Sequence, residues 1–354
     1  MISDSPVTVG LASYGLSGKA FHAPFLDQSP QFRLTHVLER TSNNAEAKYQ
    51  GINTVRDYED LLHISGPELI VVNVPDTLHV EFATRAMRAG KHVIIEKPFT
   101  LTVSEAKTLI QIAESEDRVL SVFQNRRWDS DFLTVRKLID SGMLGRLVEY
   151  EAHFDRFRNV VDTGKWRENM GIGHGALYNL GSHLIDQALV LFGLPDEVYG
   201  ELRIQRTGGS IDDNFEIILH YSALKVTLKV GTLVRANLPR YILLGEQGGF
   251  VKYGMDVQEE QLRAGMRPDN PAYGIEPSAQ HGHLDTTINS LHVQGPVESI
   301  PGDYKPYFAG VFKAVREGIA PPVTGTEGMH VIAVIEAVLK SNAEGCRVKF
   351  NKNL

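Results

Sequence analysis

The stretch Val7-Thr8-Val9-Gly10-Leu11-Ala12-Ser13-Tyr14-Gly15-Leu16-Ser17-Gly18-Lys19 decides how the first half of the chain folds. A short, β-rich apolar run passes through a turn with two glycines into a helical pattern. Set against G-x-G-x-x-G, Gly15 and Gly18 take the second and third positions, and Ser13 replaces the first glycine. Gly15 lets a backbone approach a pyrophosphate, and Gly18 lets a helix pack closely on its strand. The first helical N–H groups and the positive end of the dipole then favour phosphate. Tyr14, Leu16 and Ser17 complete the loop. Ala20 follows Gly18-Lys19 where a P-loop needs Ser or Thr, so the hydroxyl for Mg²⁺ is missing.

Outward from this turn, strand-like runs recur at Leu34–Leu38, Leu69–Val74, His92–Ile95 and Val119–Phe123. Patterns of helical period lie between them, such as Val80–Ala89, stopped by Gly90, and Val103–Ser115. This alternation predicts βαβ units around a parallel sheet. The second strand ends at Glu39-Arg40-Thr41-Ser42. An acid there would accept ribose hydroxyls, whereas an arginine followed by hydroxyls suits a 2′-phosphate. We read the pattern as NADP, with Glu39 leaving NAD open. The fourth strand ends at Glu96-Lys97-Pro98, where open α/β sheets bind their ligands.

From about Asn125 the pattern changes. Helices are predicted at Phe132–Ser141 and Leu177–Phe192. Strands follow at Leu147–Phe157, Glu197–Arg206, Phe215–Tyr221, Lys225–Val234 and Tyr241–Gly245, mostly without helices between them. The fold class expected is therefore an α/β Rossmann domain, residues 1–124, followed by an α+β domain, residues 125–354, with a large, mainly antiparallel open sheet. Lys252–Gly302 reads as long loops with short elements; helix returns at Tyr304–Glu317 and Glu327–Asn342, and Arg347–Phe350 as an edge strand. Asn179, His183 and Asp186, spaced i, i+4 and i+7, share one helix face.

Bulk composition narrows the classes. The chain has 354 residues, 42% hydrophobic and 22% charged, with a net charge of -7, which gives no electrostatic case for nucleic acid. A single cysteine, Cys346, fits a reducing compartment. No apolar run approaches the ~20 residues that span a bilayer. The expected location is cytoplasmic. His281, His283, Asp285 and His292 have a spacing that suggests a metal, but no regular pattern fixes them, and no metal is expected.

The glycine loop, Val74-Pro75-Asp76 with His79, Glu96-Lys97-Pro98 and Gly181-Ser182-His183-Leu184-Ile185-Asp186 together resemble the Gfo/Idh/MocA oxidoreductase family. The likeness is collinear and reaches Pro321-Pro322-Val323-Thr324. Gln124-Asn125-Arg126-Arg127-Trp128-Asp129, Tyr178-Asn179-Leu180-Gly181-Ser182-His183 and Phe21-His22-Ala23-Pro24 resemble its NADP-dependent scyllo-inositol dehydrogenase branch. The resemblance implies hydride transfer between NAD(P) and a cyclic polyol or sugar, in a homodimer or homotetramer. It makes Lys97 the active-site lysine and His183 the acid–base histidine. Asn179 stands where many relatives carry aspartate; an asparagine can orient a hydroxyl but cannot take a proton. The resemblance also puts Asn73, Pro75, His79, Glu96, Asn125, Trp166 and Arg167 near the cofactor. Two other activities belong to such families: a catalytically silent dinucleotide sensor, and a glycoside hydrolase that recycles a bound NAD. Lys97 and His183 together weigh against the silent sensor.

Overall fold

In the computed structural model, residues 5–63, 65–162, 164, 171 and 173–354 are described. The chain folds into two compact units, each made of three segments.

Unit 1 takes Met1–Trp128, Gln258–Tyr273 and Asp303–Met329. Its elements begin β1 (Val7–Leu11), α1 (Ala23–Gln28), β2 (Phe32–Leu38), α2 (Asn44–Lys48), β3 (Asn53–Val55) and α3 (Tyr58–His63). They continue with β4 (Leu69–Val72), α4 (His79–Arg88), β5 (His92–Ile95), α5 (Val103–Ser115) and β6 (Leu120–Val122). The six strands form a parallel sheet in the order β3-β2-β1-β4-β5-β6, so the succession of strands switches from one side of β1 to the other at the β1–β4 pair. All five residues of β1 and all four of β4 are buried, as a sheet covered on both faces requires. The sequence pattern did not predict β3; only Val55 of its three residues is buried, so no apolar run marks it.

Later segments complete this unit. Among them are α8 (Gln258–Arg263) and α9 (Lys305–Glu317), on which Tyr307, Phe308, Val311 and Ala314 are buried. The Phe308 ring stacks on Phe25 at 5.2 Å and lies 5.8 Å from Phe123. The strand edge is continued by Val122 N–H donating to the Val323 carbonyl at 3.1 Å.

Unit 2 comprises Asp129–Val257, Gly274–Gly302 and His330–Leu354. Its elements are α6 (Ser130–Asp140), β7 (Leu147–His153), α7 (Ser182–Phe192), β8 (Glu197–Arg203), β9 (Asn214–His220), β10 (Lys225–Gly231), β11 (Tyr241–Gly245) and β12 (Gly248–Lys252). Then come β13 (Gly282–Ile288), β14 (Leu291–Val297), most of α10 (Gly325–Glu344) and β15 (Val348–Lys349). Nine strands run in the order β14-β13-β12-β11-β7-β10-β9-β8-β15. The β7–β10 pair is parallel and the other pairs are antiparallel. Period-two alternation sends Tyr150, Phe215, Ile217, Leu228, Tyr241 and Phe250 into the core, each at most 1% exposed. The sequence pattern put loops in Lys252–Gly302, yet β13 and β14 form a hairpin there. Its turn residues Asn289 and Ser290 take positive φ of 50° and 66°, as a tight two-residue hairpin requires. The exposed residues of β14 gave no apolar run to read.

Candidate active site

The glycine loop leaves β1 and enters a helix spanning residues 16–28. Within it, Gly18–His22 is a π-turn that leads into α1. Such turns recur at functional sites because they re-aim side chains within a helix. Asn73, just after β4, clasps the loop: its Oδ1 accepts Ser13 N–H at 2.9 Å and its Nδ2 donates to the Ser13 carbonyl at 2.9 Å. Ser13 Oγ returns a bond to the Asn73 carbonyl at 2.9 Å. A serine therefore serves at the first glycine position because Asn73 fixes its backbone. A Cβ on Gly18 would stand 2.6 Å from the Ser13 carbonyl oxygen, so the helix needs glycine there. At Gly15 the same atom would meet nothing nearer than Ser13 Oγ at 3.9 Å, which leaves open space for a phosphate. Leu16 is exposed beside it, whereas Tyr14 is buried.

Glu39, after β2, is 6% exposed and turned into its own loop. Its Oε1 accepts Ala45 N–H at 2.7 Å, and its Oε2 accepts Asn44 N–H and Asn44 Nδ2, each at 3.2 Å, and Ser42 Oγ. Burial would raise its pKa, but these bonds together hold the carboxyl below its ordinary range. Arg40 and Thr41 are exposed and take no part in this network.

Glu96 and Lys97 follow β5. Glu96 Oε1 accepts from His22 Nε2 at 2.9 Å and from Ser17 Oγ; Oε2 accepts Lys97 N–H at 3.3 Å. Burial pushes this carboxyl up, yet the His22 and Ser17 bonds and the Lys97 charge hold it below its usual range. One carboxylate thus ties the glycine loop to the Lys97 loop. Lys97 is half-buried and precedes Pro98 through a cis peptide bond. Pro75 is exposed at the head of a short helical turn, Asp76–Leu78. His79, expected near the cofactor, is 1% exposed and lies beneath the loops. Its Nδ1 is 2.9 Å from the Pro98 carbonyl and its Nε2 3.1 Å from that of Val74. Burial pushes its pKa down against the pull of Glu96 and Asp76. Asn125 is buried after β6, and Arg126 pairs with Glu259 at 2.5 Å. The loops of β1, β2, β4, β5 and β6 all lie at the carboxyl edge of one parallel sheet.

In unit 2, a helix spanning residues 175–192 carries His183. A second π-turn, Leu177–Gly181, contains Asn179 and leads into α7. Asp212, which sequence reasoning missed, caps this helix: its Oδ2 accepts Leu177 N–H at 2.7 Å, and its carbonyl accepts Ala176 N–H at 2.9 Å. His183 and Asp186 are buried at 4% and 2% exposure, and Asn179 is half-buried. The His183 ring lies 6.4 Å from that of Phe154, which in turn packs under the Arg240 guanidinium at 4.0 Å. Arg240 binds Asp131 at 3.1 Å, the His153 carbonyl at 2.5 Å and Gln187 Oε1 at 3.4 Å. Tyr241 also donates to Gln187, at 3.0 Å. Gln187 lies one turn beyond His183, so this hub anchors the face that carries the histidine. Arg240 had no sequence signal, because a lone arginine before a strand reads as surface charge.

Trp166 and Arg167 lie outside the described residues. His292 pairs with Asp285 on the exposed hairpin at 2.8 Å. No group of three or more metal-ligating side chains occurs among the described residues. Nor is any helix among them long and apolar enough to cross a membrane.

The fold and these loops define an NAD(P)-dependent dehydrogenase. Residues 7–124 match the family model for the oxidoreductase NAD-binding Rossmann fold, and residues 136–350 match the companion C-terminal alpha/beta domain. The scyllo-inositol 2-dehydrogenase (NADP(+)) IolW of Bacillus subtilis is 38% identical over 338 residues, covering 96% of this chain and 94% of its own. YdgJ of Escherichia coli K12, an uncharacterized oxidoreductase, is 38% identical over 335 residues, 95% of this chain and 96% of its own. The solved structure of YvaA from Bacillus subtilis superposes with a TM-score of 0.95 at 37% identity, covering 99% of each chain. The chain belongs to the Gfo/Idh/MocA oxidoreductase family.

Proposed function

We propose that the protein is an NADP-dependent dehydrogenase of scyllo-inositol or a closely related cyclic polyol, interconverting one ring hydroxyl and its ketone. Its likeness to the inositol dehydrogenase of Bacillus subtilis, along nearly the whole of both chains, carries the substrate reading. The exposed Arg40 and Thr41 support NADP.

When bound, the nicotinamide takes or gives the hydride; that chemistry belongs to the cofactor. The open space at Gly15 would receive the pyrophosphate at the helix N-terminus, while Ser13, through its bonds to Asn73, and Gly18, through close packing, would shape the loop that presents it. His183 accepts the hydroxyl proton as the alcohol is oxidised and returns it on reduction, since a neutral imidazole is a competent base near pH 7. The Lys97 ammonium supplies the positive charge that stabilises a developing oxyanion. Asn179 orients the substrate hydroxyl without exchanging a proton.

Initial rates on scyllo-inositol, myo-inositol, glucose and xylose, with NADP and with NAD, test this reading. We expect turnover fastest with an inositol and NADP. Lys97→Ala and His183→Ala should each lower kcat by about 10²-fold or more while NADP still binds. No reduced cofactor from any of these substrates, or full activity in both variants, would overturn it.

A further inference from the structure

Glu39 occupies the place where a Rossmann fold puts the acid that binds ribose hydroxyls. Its carboxylate is already engaged by four donors, Ser42 Oγ of its own loop and Asn44 N, Asn44 Nδ2 and Ala45 N at the start of α2. The loop is also gripped from outside by Arg56, which follows β3. Arg56 Nη1 donates to the Glu39 carbonyl at 2.5 Å and the Ser42 carbonyl at 2.6 Å, and Nη2 to Asn43 Oδ1. The Glu39 N–H meets the Val55 carbonyl at 3.1 Å, which fixes the root of the loop on the same strand. The result is a closed turn with its acid inside and Arg40 and Thr41 outside.

We propose that Arg56 and Glu39 are positioning residues for cofactor choice: they lock the loop in a form that withdraws the carboxylate from the ribose and presents Arg40 and Thr41 to a 2′-phosphate. This rests on the NADP reading above. An anion beside the ribose would repel a phosphate; turning the carboxylate into its own hydrogen bonds leaves it charged but directs its oxygens into the turn rather than outward with Arg40 and Thr41. Arg56 acts through the backbone carbonyls. A lysine keeps its charge but lacks the fork that spans two carbonyls.

The test measures binding of adenosine 2′,5′-bisphosphate and of 5′-AMP by calorimetry, so no turnover is involved. We expect Arg56→Ala to weaken the bisphosphate about tenfold, the equivalent of one charge-assisted hydrogen bond, with 5′-AMP within about twofold. Arg56→Lys should fall between. Glu39→Gln should weaken the bisphosphate more than 5′-AMP, because the clasp loosens; an acid that served the ribose would give the reverse order. Arg40→Ala separates the two ideas. If it abolishes discrimination and Arg56→Ala and Arg56→Lys do not alter it, the positioning role fails alone. If Arg40→Ala leaves discrimination intact, the 2′-phosphate reading fails with it. Thermal melting of each variant identifies unfolding, and Arg56→Lys decides the matter where Arg56→Ala does not fold.

Discussion

Ser13 and Asn73 show how much of a site rests on single atoms. Three hydrogen bonds of 2.9 Å join them across sixty positions of sequence. The missing glycine was legible in the sequence, but its compensation was not, because nothing local marks Asn73 as the partner. Gly18 was legible, and its reason is steric: a methyl group would meet the Ser13 carbonyl at 2.6 Å. Gly18→Ala should therefore weaken NADP binding by about tenfold or more, read by quenching of protein fluorescence; unchanged affinity would show that the loop yields. His92 gives a pH prediction at the same scale. Its Nδ1 accepts Val119 N–H at 3.0 Å, and burial, helped by the Arg118 charge, pushes its pKa down to about 4. A histidine with a lower value folded than unfolded binds more protons when unfolded. Its stability contribution is complete above about pH 6.5 and drains as the pH falls toward 4, by up to about 3 kcal/mol. Urea unfolding at several pH values should show His92→Gln losing less stability over that window than the parent; equal losses would sink the assignment.

At the scale of elements, periodicity located most strands of both sheets and the helix that carries His183, since buried strands and amphipathic helices write their burial into residue type. It could not see the π-turns at Gly18–His22 and Leu177–Gly181, because each is a single wider turn of five residues, too short to set a period of its own within a helical pattern. Nor could it see the hub beneath α7, where partners come from α6, β7, β11 and the residue before it. Arg240 and Asp131 are 3% and 1% exposed as side chains, so removing one strands the other. Arg240→Met should cost about 3–5 kcal/mol and also lower activity, since Gln187 loses an anchor one turn from His183. Adding Asp131→Leu should recover much of the stability without restoring full activity. Recovery of both would reduce the hub to a purely structural role.

The whole molecule interleaves its segments. Reading along the chain suggests one division near residue 124, and strand grammar does change there. Compactness follows a different course, because α9, nearly two hundred residues on, belongs with the parallel sheet. No local pattern announces that, since an apolar stripe shows that a helix is buried without showing against what. The energetics say what the sheet would lose without it. Phe308 stacks on Phe25 at 5.2 Å, Tyr307 meets Phe123 edge-on at 4.9 Å and donates or accepts a 2.9 Å bond with Ser121, and Arg316 pairs with Glu68 at 2.7 Å. Burying each such aromatic is worth about 1.5–3 kcal/mol, so Tyr307 and Phe308 together reach the lower end of the ~5–15 kcal/mol stability of a typical domain. Residues 1–124 expressed alone should therefore lack a cooperative melt and bind hydrophobic dyes. Joining residues 1–128 to 303–329 should restore much of the lost order, because Asp303 N–H already donates to the Trp128 carbonyl at 3.1 Å, and a few glycines would close the chain. Calorimetry of the two fragments decides the matter: a sharp transition and NADP binding in residues 1–124 alone would mean that the aromatic contacts of α9 are dispensable to the sheet.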